Sequence, residues 1–134
     1  MTHGVIYDLL AKLRVSSSEL EVLGDGTGEK NYFLVEECID GMIYAYNNSN
    51  NTGCEVFNLG SESTTRVSEI VRIVLEETGN NHTRVRYTGG QRGWPGDQPR
   101  VYMNVEKMKR LGWSAKLASD EAVRIAVRRY VGRA

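Results

Sequence analysis

Apolar residues recur at helical spacing in several stretches of the chain. Residues 4–14 form one such stretch, and residues 35–47 form another, in which Cys38, Ile39, Met42, Ile43 and Tyr46 share one side. Further helices are predicted from Thr65 to Thr78, over residues 105–111, and from Ser119 onward. Thr65, Asn104 and Ser119 are the expected N-caps, and Gly79 is the expected C-terminal stop. Such stripes are typical of core packing, so the helices indicate a fold rather than a function.

Short β-favouring segments lie between the predicted helices. Residues 20–23 and 31–34 flank the sequence GDGTG, and Asp-Gly between two such segments predicts a β-hairpin. The apolar run EVFNL, residues 55–59, predicts a buried parallel strand, and residues 84–87 predict another short strand. With no linker and no internal repeat, the order of elements predicts one α/β domain over residues 1–134.

The longest irregular segment, residues 89–100, reads GGQRGWPGDQPR and contains both prolines of the chain. Proline lacks a backbone donor and glycine is conformationally costly in regular structure, so this segment is predicted to be a loop. It carries Arg92, Trp94, Asp97 and Arg100. A guanidinium group suits a phosphate and a carboxylate accepts hydrogen bonds from sugar hydroxyls, so the loop is a candidate anion-binding and sugar-binding site.

Composition narrows the class of protein without naming an activity. The chain has 134 residues, two cysteines and two histidines. We expect no metal site, since these residues do not cluster at metal-ligand spacing. The cysteines lack a paired-motif spacing and no secretory leader or membrane-length apolar run is visible, so a cytoplasmic location is predicted.

Charge is unevenly distributed although the net charge is zero. Residues 1–80 carry five Lys or Arg and thirteen Asp or Glu, whereas residues 81–134 carry twelve and four. A basic half can attract nucleic acid, or it can simply complement the acidic half. Aromatic residues that would stack on bases are largely lacking between the basic residues, which favours the second interpretation.

The residues alone do not supply a catalytic set. No serine or cysteine nucleophile lies in a recognisable elbow with a histidine partner. The glycines of residues 24–28 have the wrong spacing for a dinucleotide-binding loop, and no helix follows them directly. We interpret this segment as a turn.

Four stretches, in order, resemble the C-terminal part of an extended short-chain dehydrogenase/reductase. They are LEVLGDGTGEKNYFLVEECIDGMIYA (20–45), EVFNLGS (55–61), RGWPGDQPR (92–100) and NVEKMKRLGW (104–113). The chain is most similar to the NAD-dependent nucleotide-sugar epimerase/dehydratase family, whose enzymes include isomerases of carbohydrate metabolism. The resemblance implies the substrate-binding part of a larger enzyme, without the NAD-binding Rossmann domain and its catalytic residues.

The resemblance also implies roles for four residues. Lys30 and Arg92 match basic residues that meet the diphosphate of the nucleotide-sugar, and Asp97 matches a carboxylate that bonds the ribose hydroxyls. Leu23 matches the segment along the nucleobase. Lys30 replaces a more usual arginine, and Arg92 and Asp97 lie farther apart than in the shortest family versions. NAD is implied for the parent enzyme but not for this chain, which is expected to catalyse nothing alone.

Further expectations concern partners. A strand at residues 55–59 without its Rossmann neighbours would leave an open edge, so self-association is predicted. Two alternatives remain open: a nucleic-acid-binding module using residues 84–133, and a stand-alone nucleotide-binding regulator. The sequence distinguishes neither the sugar nor the base, nor epimerisation from dehydration or decarboxylation.

Overall fold

The computed structural model describes residues 4–50 and 53–132. The elements, in chain order, are α1 (Val5–Val15), β1 (Glu19–Val22), β2 (Glu29–Lys30), α2 (Val35–Asn48), β3 (Thr65–Arg66), α3 (Val67–Thr78), β4 (Arg84–Tyr87), β5 (Arg100–Val101), α4 (Glu106–Leu111) and α5 (Ser119–Tyr130). All five predicted helices are present, and the α/β class is confirmed.

The strands form two small sheets. β1 pairs with β4 in parallel, with Glu19 opposite Arg84 and Val22 opposite Tyr87. β2 lies between β3, which is antiparallel to it, and β5, which is parallel to it. The predicted hairpin is therefore wrong, and residues 31–34 are not a strand. The backbone after β1 is instead joined to the segment after β4, through the hydrogen bond from Gly89 N to Gly24 O at 2.9 Å.

The main hydrophobic core lies among α1, β1, α3 and α5. Leu20, Ile70, Ile73, Val74 and Val127 are completely or almost completely buried there. Leu20 and the equally buried Val22 are two positions apart on β1, and Ile70, Ile73 and Val74 are three or four apart on α3, so each set faces this common interior. The core stripes predicted for α3 and α5 are confirmed except at Val67, Ala126 and Tyr130, which are only partly buried.

A second, smaller cluster joins α2 to α4 and to Trp113. Met108 and Trp113 are buried in it with Ala45, and Trp113 Nε1 donates a 3.0 Å hydrogen bond to Asp40 Oδ2. The helix α2 approaches Trp113 through Gly41, where an added Cβ would lie 2.9 Å from the indole Cζ2. This small residue on α2 is what allows the close contact.

The predicted apolar side of α2 is largely exposed rather than buried. Ile39 is 52% exposed, Met42 57%, Ile43 56% and Tyr46 77%. The helix packs through Gly41 and Ala45, which lie on another side. An apolar face that remains in contact with water is costly in free energy, so this face is an expected contact surface.

Residues 55–59 form no strand and pair with none among the described residues. The prediction of a buried parallel strand is therefore wrong: Val56 is 75% exposed, and Phe57 and Leu59 are only partly buried against the second cluster. A parallel strand needs a neighbour for its hydrogen bonds, and the described part of the chain supplies none to this segment.

The predicted helix ends are partly confirmed. Gly79 ends α3 with a left-handed φ of 74°, and Asn104 Oδ1 accepts a hydrogen bond from Glu106 N at the start of α4. Thr65 and Ser119 are not N-caps. Thr65 lies in β3 and donates to Ser119 Oγ at 2.7 Å, while Ser119 is the first residue of α5. These two hydroxyl groups are buried and satisfy each other, and thereby join β3 to α5.

Candidate functional site

The loop between β4 and β5 folds against the segment between β1 and β2. Gly24 N donates to Thr88 Oγ1 at 2.9 Å, in addition to the bond between Gly89 and Gly24 described above. Gly24 has φ 83°, and a Cβ there would lie 3.4 Å from Gly90 O and from Gly93 N. Glycine is thus favoured at this contact by its left-handed backbone, and the added Cβ would just reach van der Waals contact with the facing loop.

These two segments, with α1 and the start of α3, enclose a cavity of about 430 Å³. Its walls include apolar side chains from separate elements, such as Val5, Leu9, Val22 and Val67. The volume lies within the range of small-molecule binding sites. Chain topology therefore creates a cavity of ligand size where β1 ends.

Three of the four predicted site residues line this cavity. Leu23, Lys30 and Asp97 come from the end of β1, from β2 and from the loop after β4. Arg92 is exposed and does not line the cavity. It precedes the lining residues Gly93 and Trp94 in the same loop, so it belongs to the rim.

Lys30 and Asp97 form an ion pair at the cavity wall. Lys30 Nζ lies 2.8 Å from Asp97 Oδ1, and Gly93 N donates to Asp97 Oδ2 at 3.3 Å. Burial of Asp97 opposes its ionisation, but the hydrogen bonds from Lys30 and Gly93 outweigh it, so the pKa of this carboxyl group is lowered. Asp97 is consequently an anion that can accept further hydrogen bonds, and it partly neutralises Lys30.

The charge of the wall limits what the cavity can hold. Three carboxylates line it, from Asp8, Asp25 and Asp97, against the single ammonium group of Lys30 among the lining residues. Asp25 is oriented by Thr27, whose N and Oγ1 donate to its Oδ1, and these bonds lower its pKa. A dianionic diphosphate does not suit this wall alone. The wall instead suits hydrogen-bond donors such as hydroxyls and ring N–H groups, while a phosphate fits the rim near Arg92.

Sequence reasoning missed two aromatic residues of the site. Trp94 lines the cavity and Lys30 Nζ lies 5.5 Å from the centroid of its ring. Tyr32 lines it from the segment after β2, and burial together with the charge of Asp97 raises the pKa of its phenol. The sequence had already placed Trp94 in the candidate loop of residues 89–100 without giving it a role, and only the fold shows that both rings face one cavity.

The glycine-rich segment of residues 24–28 is not arranged to hold the pyrophosphate of NAD. In the described ranges, residues 24–28 lead from β1 into β2 and not into a helix, so their amides do not form the N-terminal anion site of a dinucleotide fold. No group of three or more His, Cys, Asp or Glu among these residues is placed to hold a metal ion. The cavity and its lining side chains suit the binding of a ligand.

Comparison with known proteins then identifies the fold. No family model matches the chain. A UDP-glucose 4-epimerase of Cyamopsis tetragonoloba is 39% identical over 103 residues, which are 75% of this chain and 28% of that protein. A crystal structure of UDP-galactose 4-epimerase superimposes with a TM-score of 0.83 at 27% identity, over 98% of this chain and 41% of that one. These matches confirm the predicted family.

The chain is thus homologous to extended short-chain dehydrogenase/reductase enzymes of the nucleotide-sugar epimerase type. The structure of UDP-glucose 4-epimerase from Thermotoga maritima with UDP-glucose matches at 25% identity and a TM-score of 0.74, over 96% of this chain and 40% of that one. UDP-glucuronic acid 4-epimerase from Bacillus cereus, solved with UDP-glucuronic acid and NAD, has the same TM-score at 19% identity, over 96% and 41%. The chain spans 28% of the length of the matched curated relative.

The two halves of opposite charge are joined by ion pairs. Arg124 bonds both Glu76 and Glu77, Arg128 bonds Glu77 at 2.9 Å, and Arg129 bonds Glu36. Several basic side chains of residues 81–134 are thereby ion-paired with carboxylates of residues 1–80. Arg133 lies outside the described residues. No helix in the part of the chain that the structure describes is long and apolar enough to cross a membrane.

Proposed function

We propose that this chain is the nucleotide-sugar-binding portion of an NAD-dependent epimerase or dehydratase. One observation carries the proposal. Leu23, Lys30 and Asp97, which lie up to 74 positions apart in the sequence, meet at one ligand-sized cavity in a chain homologous to UDP-glucose 4-epimerases. The ligand is a nucleoside diphosphate sugar, and the chain contributes binding energy and orientation rather than chemistry.

Each predicted residue has a role in the proposed complex. Asp97 is a partly buried anion that accepts hydrogen bonds from the ribose hydroxyls. Arg92, at the rim, binds the diphosphate outside the acidic wall. Lys30 adds a point charge and holds Asp97 in position, and Leu23 contributes backbone and apolar contact to the base.

Hydride transfer falls outside these residues. The NAD-binding part of the parent enzyme would supply the oxidising and reducing power, and this chain would keep the sugar in place. We propose that the chain alone has no epimerase activity with added NAD. Turnover of UDP-glucose by the chain on its own would contradict this assignment.

Calorimetric titration with UDP, dTDP and GDP tests the binding proposal. We expect one of the three to bind, and Arg92→Ala to weaken that binding at least about 10-fold, since a charge-assisted hydrogen bond is worth about 1.5–3 kcal/mol. Arg110→Ala is the matched control, because Arg110 is exposed on α4 and does not line the cavity. Absence of binding by all three nucleotides would reject the proposal for this chain.

The nucleic-acid alternative makes a different prediction. Its only support is the basic charge of residues 84–133, and much of that charge is paired within the protein. Binding of duplex or single strands would fall steeply with salt. A stand-alone nucleotide-binding regulator would share the same site and would bind its nucleotide without any partner domain.

A further inference from the structure

Trp94 is a large apolar side chain left 56% exposed at the cavity. The only other tryptophan, Trp113, is 7% exposed and packs in the second cluster. Exposed tryptophan is uncommon because its ring gains much free energy from burial. A ring kept exposed beside a cavity is therefore available to a ligand.

The backbone around Trp94 is fixed in place. Asp97 N donates to Trp94 O at 3.1 Å, which closes a turn over residues 94–97. The side chain of Asp97 is held by Lys30 and by Gly93 N, as described above. The ring is thus presented by a turn that is anchored to β2, and its loop does not have to be ordered on binding.

The neighbouring contacts place Trp94 close to the segment after β1. A Cβ added at Gly93 would lie 3.6 Å from Leu23 Cβ and 3.8 Å from Leu23 O. The residue before Trp94 therefore contacts the residue proposed to lie along the base. A flat ring entering the cavity at this point would meet both Leu23 and the indole.

The charges of the wall favour an uncharged ring over a phosphate. Asp8 is paired with Lys12 and Asp97 with Lys30, each at 2.8 Å, so the wall is less acidic than its three carboxylates suggest. Its carboxylate acceptors still suit the ring N–H groups of an aromatic base, which adds no negative charge. An indole face stacks well on any base, because every base has a π-face. The phosphates are then directed towards the rim, where Arg92 is exposed.

We propose that Trp94 is the stacking platform for the nucleobase of the bound nucleotide. This inference rests on the proposed function, and it adds a base-binding residue to the four already assigned. The indole face contacts the heteroaromatic base of the ligand, and it contacts neither the sugar nor the diphosphate.

Two substitutions and three ligands test the proposal. Trp94→Leu should weaken UDP binding about 5- to 150-fold, which corresponds to the usual loss of one base-stacking contact. Trp94→Phe keeps an aromatic ring and should weaken UDP binding less than Trp94→Leu does. Binding of pyrophosphate should change less than twofold in both variants. The ratio of UDP-glucose to UDP affinity should also stay constant, because the sugar does not meet the indole.

Tryptophan fluorescence gives an independent readout. Saturating UDP should quench the emission of the native chain, and the quenching should disappear in Trp94→Phe, since Trp113 is buried away from the cavity. Circular dichroism of both variants checks that they are folded.

The outcomes separate this inference from the function on which it rests. If the native chain binds UDP but Trp94→Leu binds it within twofold, the platform is refuted and the proposed function stands. Equal weakening of pyrophosphate, or weakening of UDP-glucose alone, would assign the ring to the phosphates or the sugar and would also refute it. If the native chain binds no nucleotide, both proposals fall.

Discussion

Gly26 is the position at which a single added methyl group should be most informative. It lies in the segment between β1 and β2, with φ 81°, and it lines the cavity. A Cβ built there would lie 2.5 Å from Cε1 and 3.0 Å from Cζ of the Tyr87 ring. Alanine therefore meets two obstacles, a left-handed backbone and an aromatic ring.

The expected cost can be divided between the two obstacles. The left-handed conformation costs a non-glycine residue about 1–2 kcal/mol. Overpacking costs about 1–3 kcal/mol, towards the lower end if the ring swings outward. Tyr87 is 38% exposed, so this movement is open to it. We expect Gly26→Ala to lower the free energy of unfolding by about 2–5 kcal/mol in total.

Gly96→Ala is the matched control. Gly96 has φ 89°, but no heavy atom lies within 4 Å of its added Cβ. Gly96→Ala should therefore lower the free energy of unfolding only by the backbone contribution, about 1–2 kcal/mol. Urea unfolding followed by circular dichroism measures both variants, and a difference of about 2 kcal/mol shifts the midpoint by about 1 M when m is about 2 kcal/mol/M.

A double-mutant cycle locates the contact. Tyr87→Ala removes the ring. In this background, Gly26→Ala should lower the free energy of unfolding by little more than its backbone contribution, whereas the effect of Gly96→Ala should be unchanged. Equal destabilisation by the two alanine substitutions, or no coupling with Tyr87, would refute the reasoning.

Two further predictions concern an ion cluster and a surface. Hydrogen bonds from Arg128 and Arg124 lower the pKa of Glu77 below its ordinary value of 4.5, so its contribution to stability is present above that pH and is lost as the pH falls below it. Glu77→Gln should flatten this part of the acid unfolding profile, and an unchanged profile would contradict the assignment. We also propose that the exposed face of α2 mediates self-association, alone or with residues 55–59. Ile39→Lys should lower the association constant measured by sedimentation. Val15→Lys is the control and should leave it unchanged, because Val15 is an apolar residue 89% exposed on α1. A native chain that stays monomeric at high concentration would refute this proposal.

Local patterns were sufficient for the helices. The apolar spacing of α3 and the stop at Gly79 were predicted from sequence because a helix depends on residues three or four positions apart. The role of Asn104 at the start of α4 was found for the same reason, since its partner Glu106 N lies two residues on, although the N-cap position itself is Val105. Helix positions that needed no distant partner were therefore predicted well.

Strand pairing was not predicted because it depends on distant residues. The signal at Asp25 and Gly26 favoured a hairpin, yet β1 pairs with β4, whose residues lie 65 positions away. Thr65 and Ser119 have the composition of helix caps, but their hydroxyl groups bond each other across 54 residues. Nothing within a short window of sequence distinguishes these outcomes.

By itself, the sequence determined the helices, the loop of residues 89–100 and, through four ordered motifs, the family and the candidate residues. Only the tertiary structure decided which of those residues share a cavity. It brought Lys30 to Asp97, left Arg92 at the rim and turned the indole of Trp94 towards the same space. The reason is physical: a helix is specified by neighbours in the chain, whereas a binding site is specified by contacts between segments that only folding brings together.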